Sequence, residues 1–333
     1  MKALASLAPG GPDTLTFTDL PDPVPGPGQV VIAVKACAIN FPDALVIEDR
    51  YQFRPERPFA PGGEVAGIVA AVGEGVTTYA PGDRVIAMTL YGGMAELALA
   101  DVGKTYRLPE DISWEDGASL LITYGTAIHA LKDRGHLVAG NTVLVLGAAG
   151  GVGLASVELA HALGARVVAA VSDEEKAAVA RESGADEVVI YGRAPFDKAQ
   201  SKALADTFKA ACGPDGAHVV VDPVGGDYSE PALRAIAWEG RFLVIGFPAG
   251  IAKLPLNLPL LKACDICGVF LGGVLDRTPE RFTNHMAELF SLLRAGKFRP
   301  RISQILPLER GGEGIALLNA RKAIGKIVVR IGD

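Results

Sequence analysis

The segment Thr142-Val-Leu-Val-Leu-Gly-Ala-Ala-Gly-Gly-Val-Gly-Leu-Ala-Ser constrains the fold more than any other part of the chain. Five apolar residues suit a buried strand. The run then breaks into Gly147, Ala149, Gly150, Gly151, Val152 and Gly153 and continues directly into a helix-forming stretch at 152–163. Glycines so placed let the backbone turn tightly, approach a pyrophosphate closely and pack helix on strand, while free N–H groups at the helix start face the phosphates. Ala148 stands where the fingerprint usually has its first glycine, so taken alone the turn also suits a ligand-free connection. A strand before, a helix after and a second strand at 166–171 favour the dinucleotide reading.

The flanking pattern extends this unit. Strand-like runs at 142–146, 166–171, 187–190, 218–221 and 241–245 alternate with helical stretches that include 152–163 and 174–183, which predicts βαβ units in a parallel sheet. Upstream, an apolar first strand within 1–7, Gln29-Val-Val-Ile-Ala-Val-Lys and Glu64-Val-Ala-Gly-Ile-Val-Ala-Ala-Val read as short strands joined by Pro- and Gly-rich turns, and 115–131 has helical spacing. After Asp265 the chain is expected to return to β-rich texture, interrupted by a helix at 279–295 and closed by a strand at 324–331. The expectation is an α/β chain of two domains, one discontinuous (1–122 and 265–333) and wrapped around a dinucleotide fold at 123–264.

The end of the second strand decides which dinucleotide fits. An Asp or Glu there would bind both ribose hydroxyls of NAD, but this chain reads Ala169-Ala-Val-Ser172. Ser172 leaves space for a 2′-phosphate and Lys176, one turn later, supplies a counter-charge, so NADPH is favoured over NADH, with Asp173, Glu174 and Glu175 read as helix-start acids. A net charge of −6 provides no basic face for nucleic acid. No apolar run reaches the length of a bilayer span, and Cys37, Cys212, Cys264 and Cys267 are too few for a disulfide framework, so a soluble cytoplasmic protein with reduced thiols is expected.

Asn40-Phe-Pro-Asp43, Pro61-Gly-Gly-Glu-Val-Ala-Gly67, Gly82-Asp-Arg-Val85, Ala148-Ala-Gly-Gly-Val-Gly153 and Asp222-Pro-Val-Gly-Gly226 follow one another as in the zinc-free medium-chain quinone reductases, the zeta-crystallin-like NADPH:quinone oxidoreductases, which the chain resembles over essentially its whole length. The resemblance implies a GroES-like β-rich catalytic domain, a Rossmann doubly wound parallel-sheet domain, a cleft between them and a homodimer, which Cys267 to Leu271 would mediate as an exposed sheet edge. It implies that Asn40, Asp43 and Tyr51 line the substrate side and that Thr126 approaches the nicotinamide. Gly150 to Val152, Ser172, Lys176, Tyr191, Phe247 and Lys326 would lie along the cofactor; Phe270, like Phe247, suits packing equally well.

Zinc-dependent members of the superfamily carry Cys and His at fixed points, but here Asn40 and Gly63 occupy the first two, Leu120-Leu-Ile-Thr offers no third, and Cys264-Asp-Ile-Cys267 lacks a second pair. No metal is expected, and His129, His136, His161, His218 and His285 show no short ligand spacing. Hydride transfer to an electrophilic quinone or enone follows, with the proton from a side chain or water. Asn40 to Tyr51 also resembles a segment of zinc-free enoyl-thioester reductases, in which Tyr51 would be the proton donor. A non-catalytic, crystallin-like NADPH-binding role is a third reading.

Overall fold

The computed structural model describes residues 1–332. Its contacts divide the chain into two compact units, one from Met1–Ile122 together with the residues from Pro300 onward, the other Thr123–Arg299.

The first unit opens with β1 (Lys2–Ala5) paired antiparallel to β2 (Thr16–Asp19). The Val- and Ala-rich β3 (Gln29–Ala38) is buried along most of its length and runs into α1 (Phe41–Ile47). Then come β4 (Glu64–Val72), β5 (Arg84–Met88), β6 (Leu97–Asp101), β7 (Thr105–Arg107) and α2 (Trp114–Ala118), which Ser113 caps by accepting the Asp116 N–H.

The second unit begins within a helical rod. The stretch expected as one helix at 115–131 is instead α2, a break at Ser119, and a rod in which α3 (Gly125–Ile128) lies between two π-helical segments, Leu120–Tyr124 and His129–Arg134. A parallel alternation follows: β8 (Thr142–Leu146), α4 (Gly151–Ala162), β9 (Arg166–Val171), α5 (Glu174–Glu182), β10 (Glu187–Ile190), α6 (Lys198–Cys212), β11 (Ala217–Asp222), α7 (Ser229–Arg234), β12 (Ile236–Val244), α8 (Asn257–Lys262) and β13 (Asp265–Gly268). The sheet order is β10-β9-β8-β11-β12-β13, every pair parallel, which is the doubly wound order with its reversal between β8 and β11. Two helices complete the unit, α9 (Leu271–Arg277) and α10 (Pro279–Arg294).

The chain then re-enters the first unit with β14 (Ile302–Pro307), α11 (Gly311–Asn319) and β15 (Lys326–Arg330). There the larger sheet runs β14-β15-β3-β4-β5-β7, with β6 beside the first half of β3.

Two expectations change. The return crossing lies at 299/300 and not at 264/265, because β13 pairs with β12 inside the parallel sheet and Phe282, Met286 and Leu289 of α10 are fully buried. Between β13 and β14 the texture is therefore helical and not β-rich, and the anticipated edge strand at 267–271 ends at Gly268, with α9 beginning at Leu271. Among the described residues no helix is long and apolar enough to cross a membrane.

Candidate functional site

In the second unit the candidate site lies at the sheet's reversal point. Gly147, just past β8, takes φ +57, and a Cβ there would come within 2.8 Å of Val224 Cγ2, in the loop after β11. The Gly150 N–H donates to Gly147 O at 2.9 Å, closing the turn. A Cβ on Gly153 would overlap the Gly147 carbonyl, so only glycine lets α4 pack this close to the strand end. Gly150 is the N-cap of α4 and no side chain caps the helix, which leaves the first-turn N–H groups of Gly151, Val152 and Gly153 for an anion. Ala148 and Ala149 are buried. The facing loop is tied by Asp222, whose Oδ1 accepts from Val224 N at 2.9 Å and Gly225 N at 2.8 Å while Oδ2 accepts from Ser229 Oγ at 2.5 Å. Burial pushes its carboxyl above the usual range, against those three donors.

At the end of β9, Asp173 is the N-cap of α5, accepting the Lys176 N–H at 3.0 Å, as expected of a helix-start acid. The Lys176 ammonium donates to Ser172 Oγ at 2.8 Å and pairs with Asp173 Oδ2 at 3.2 Å. Ser172 and Lys176 thus lie side by side, and the Asp173 carboxylate already shares the lysine. Tyr191, past the end of β10, packs on Tyr228 with ring centroids 4.9 Å apart. Phe247 lies against Gly225 in the loop after β12 and is 48% exposed. Phe270 lies over Gly272 and Gly273 at the start of its own helix, so its ring has a packing role while 60% exposed. Thr126 is buried in α3.

In the first unit, Asn40, Asp43, Glu64 and Lys326 form a buried polar cluster. Asn40 is the N-cap of α1, and Asp43, three residues on, accepts the Asn40 N–H at 2.7 Å and the Gly62 N–H at 3.2 Å. Gly62 has φ +101, and a Cβ there would lie 2.6 Å from Cys37 Sγ, which explains the glycine at this close approach. Burial pushes the Asp43 carboxyl up to about 6 despite both N–H donors and the Lys326 ammonium. Glu64, wholly buried at the start of β4, accepts the Ile122 N–H through Oε1 and Asn40 Nδ2 through Oε2, both at 3.0 Å.

Lys326, read as a cofactor contact, is 3% exposed and donates to Asn40 Oδ1 at 2.6 Å and Glu64 Oε2 at 3.3 Å. Its charge is committed to the cluster at Asn40, which also removes the alternative of a solvated lysine. Tyr51 is half-buried against the first unit's core; burial, with a contribution from the Asp43 charge, raises its phenol.

Sequence reasoning missed Glu64 as a participant, although an acid opening an otherwise apolar strand after Pro61-Gly-Gly was its signal. It also held the histidines apart. His129 and His285, 156 residues distant in sequence, both bond Asp133 Oδ2.

Residues 26–110 match the Alcohol dehydrogenase GroES-like domain and residues 151–291 the Zinc-binding dehydrogenase family. Quinone oxidoreductase-like protein 2 of Bos taurus is 37% identical over 307 residues, covering 92% of this chain and 86% of that protein. The human Quinone oxidoreductase is 31% identical over 99% of this chain and 97% of its own. The chain belongs to the quinone oxidoreductase family. Similar solved structures include a mycobacterial protein complexed with NADPH, at 32% identity and TM-score 0.91 over 99% of this chain and 100% of that one. Escherichia coli quinone oxidoreductase complexed with NADPH aligns at 27% identity and TM-score 0.89, over 99% and 100%. Both units therefore have family folds, a GroES-like domain and a Rossmann domain.

Proposed function

We propose that this protein is an NADPH-dependent oxidoreductase that delivers hydride to a quinone or another activated enone without zinc. The observation carrying the reading is the end of β9, where Ser172 and Lys176 replace a carboxylate, beside an uncapped α4 N-terminus at the sheet's reversal point. These residues fit the cofactor. Gly147, Ala149, Gly150, Gly151, Val152 and Gly153 would hold its pyrophosphate, and Ser172 and Lys176 its 2′-phosphate. Tyr191, Phe247 and Phe270 offer apolar faces along it, and Thr126 would meet the nicotinamide. When bound, the nicotinamide supplies the hydride.

Zinc does not fit the first unit's cluster. Asn40 and Gly63 stand where zinc-dependent members carry Cys and His; of the remaining donors, the Asn40 amide and the Glu64 carboxylate already bind an ammonium and the Asp43 carboxylate accepts two backbone N–H groups. A quinone or enone is electrophilic without a metal. In this reading Asn40 and Asp43 line the acceptor's side, Lys326 anchors the Asn40 amide, and water or a side chain delivers the proton.

The half-buried Tyr51 supports a second reading. Its raised phenol keeps its proton at neutral pH, as a donor to a reduced enoyl thioester must. NADPH oxidation with quinones, enones and enoyl thioesters, with NADH in parallel, separates the two. Fast turnover of quinones or enones with NADPH is expected; turnover of enoyl thioesters alone would move the reaction to Tyr51, and tight NADPH binding with no turnover would indicate a crystallin-like role.

Association into a homodimer belongs to the same proposal. It is supported by β13 at the sheet edge with Ile266 39% exposed, and by Leu260 and Leu261 of α8, 79% and 67% exposed. Sedimentation showing only monomer at micromolar concentration would refute it. A cytoplasmic setting is supported by four buried cysteines, all free thiols.

A further inference from the structure

The second π-helical segment, His129–Arg134, places His129 and Asp133 four residues apart on one face, and α10 brings His285 to the same point. Asp133 Oδ2 bonds His129 Nδ1 at 2.7 Å and His285 Nε2 at 2.8 Å, and the three ligand atoms lie within 4.8 Å of one another. The two imidazoles are almost wholly buried, while the Asp133 side chain is 16% exposed and gives a small ion an approach from solvent. Beside them Lys132 and Glu288 pair at 2.6 Å and cancel each other's charge, so the cluster's own carboxylate faces any incoming cation. A buried histidine is ordinarily satisfied by one partner of its own. Here two rings converge on one oxygen, an N,N,O set of the kind transition metals prefer and Mg²⁺ or Ca²⁺ do not.

We propose that His129, Asp133 and His285 form a binding site for a first-row transition-metal dication, zinc above all, which ties the helical rod carrying Thr126 to α10. Metal bonds of about 2.0–2.1 Å in tetrahedral geometry need ligand atoms about 3.3 Å apart, so the two hydrogen-bonded pairs open by roughly half an ångström while the two ring nitrogens, now within 4.8 Å of each other, settle at that same spacing. The protons balance within the rings: His129 exchanges Nδ1–H for Nε2–H, His285 exchanges Nε2–H for Nδ1–H, and the metal takes the lone pairs so released. Three protein ligands leave the fourth position to solvent. This site is separate from the proposed hydride chemistry and survives if that reading fails.

The test is titration of untagged, chelator-treated full-length protein with cobalt(II), followed by zinc competition. The expected result is one equivalent of cobalt with visible ligand-field bands, no intense thiolate charge-transfer band, displacement by zinc and a higher melting temperature with metal. His129→Asn and His285→Asn should each weaken binding by at least about tenfold. X-ray absorption on the wild-type zinc form should show a shell of nitrogen and oxygen with imidazole scattering, which keeps the test intact if a substitution unfolds the chain. No binding at one equivalent, binding unchanged in both variants, or a sulfur shell would overturn the proposal.

Discussion

Lys326 and Glu64 show how one residue's placement changes its meaning. A lysine before the last strand reads in sequence as a solvated charge or, by resemblance, as a residue along the cofactor; its ammonium is bound to Asn40 and Glu64 in the interior. Removing one partner of a buried pair leaves an uncompensated charge, at a cost of about 3–5 kcal/mol. Lys326→Met should lose about that much stability in denaturant unfolding, whereas adding Glu64→Gln should recover a substantial part; equal losses in the single and double variants would show that the pair is not coupled. Asp43 gives a pH signature. Its folded-state carboxyl is raised to about 6, so the native state binds more protons than the unfolded chain between the ordinary Asp value and about 6. That contribution to stability is fully present below the ordinary value and is lost as pH rises through about 6. Wild type should therefore gain on Asp43→Asn as pH falls from 7 to 4.5, by up to about 1.4 kcal/mol per unit over the steepest part. A pH-independent difference would mean that Asp43 titrates normally.

Elements were legible where the local pattern had a single physical solution. Thr142–Leu146 and Arg166–Val171 appear with the bounds the apolar runs implied, because a strand buried on both faces leaves little freedom of reading. The rod from 120 to 134 was not, since π-helical turns have the composition of α-helix and differ only in which carbonyl each N–H finds. His129 and Asp133 share a face at this spacing in either kind of helix, so what hid the histidine cluster is His285, which joins Asp133 from 152 residues away. The local, turn-stabilising part played by Asn40 and Asp43 was legible from Asn-x-x-Asp around a proline, whereas their buried partners come from β4 and β15, remote in sequence. The β9–α5 turn permits a sharper test. In the proposed reading Lys176→Ala removes the ammonium that would meet the 2′-phosphate and leaves the Asp173 carboxylate without its cation, adding repulsion. NADPH affinity should fall by about ten- to a hundredfold, the equivalent of about 1.5–3 kcal/mol for a charged hydrogen bond, with NADH nearly unchanged. Equal losses for both, measured by fluorescence titration, would remove Lys176 from the phosphate site.

At the scale of the whole molecule, the division at 299/300 follows from where apolar side chains find cover. Strand and helix patterns alone put β13, α9 and α10 with the outer domain, because a chain leaving a parallel sheet at 264 looks complete after five strands. The sixth strand extends the sheet past β12, and α10 then turns Phe282 onto Gly125, where a glycine Cβ would sit only 2.7 Å from the ring. A fragment spanning 123–264 would lack Phe282, Met286 and Leu289 and expose the edge of β12. Each missing side chain costs about 2–5 kcal/mol, and together they approach the 5–15 kcal/mol that a domain has in total. The fragment 123–299 should therefore unfold cooperatively, with native-like circular dichroism and retained NADPH binding, while 123–264 should be largely unfolded or aggregated under the same conditions. Comparable melting transitions for the two would show that α9 and α10 contribute little to the second unit's core, and would return the boundary to 264/265.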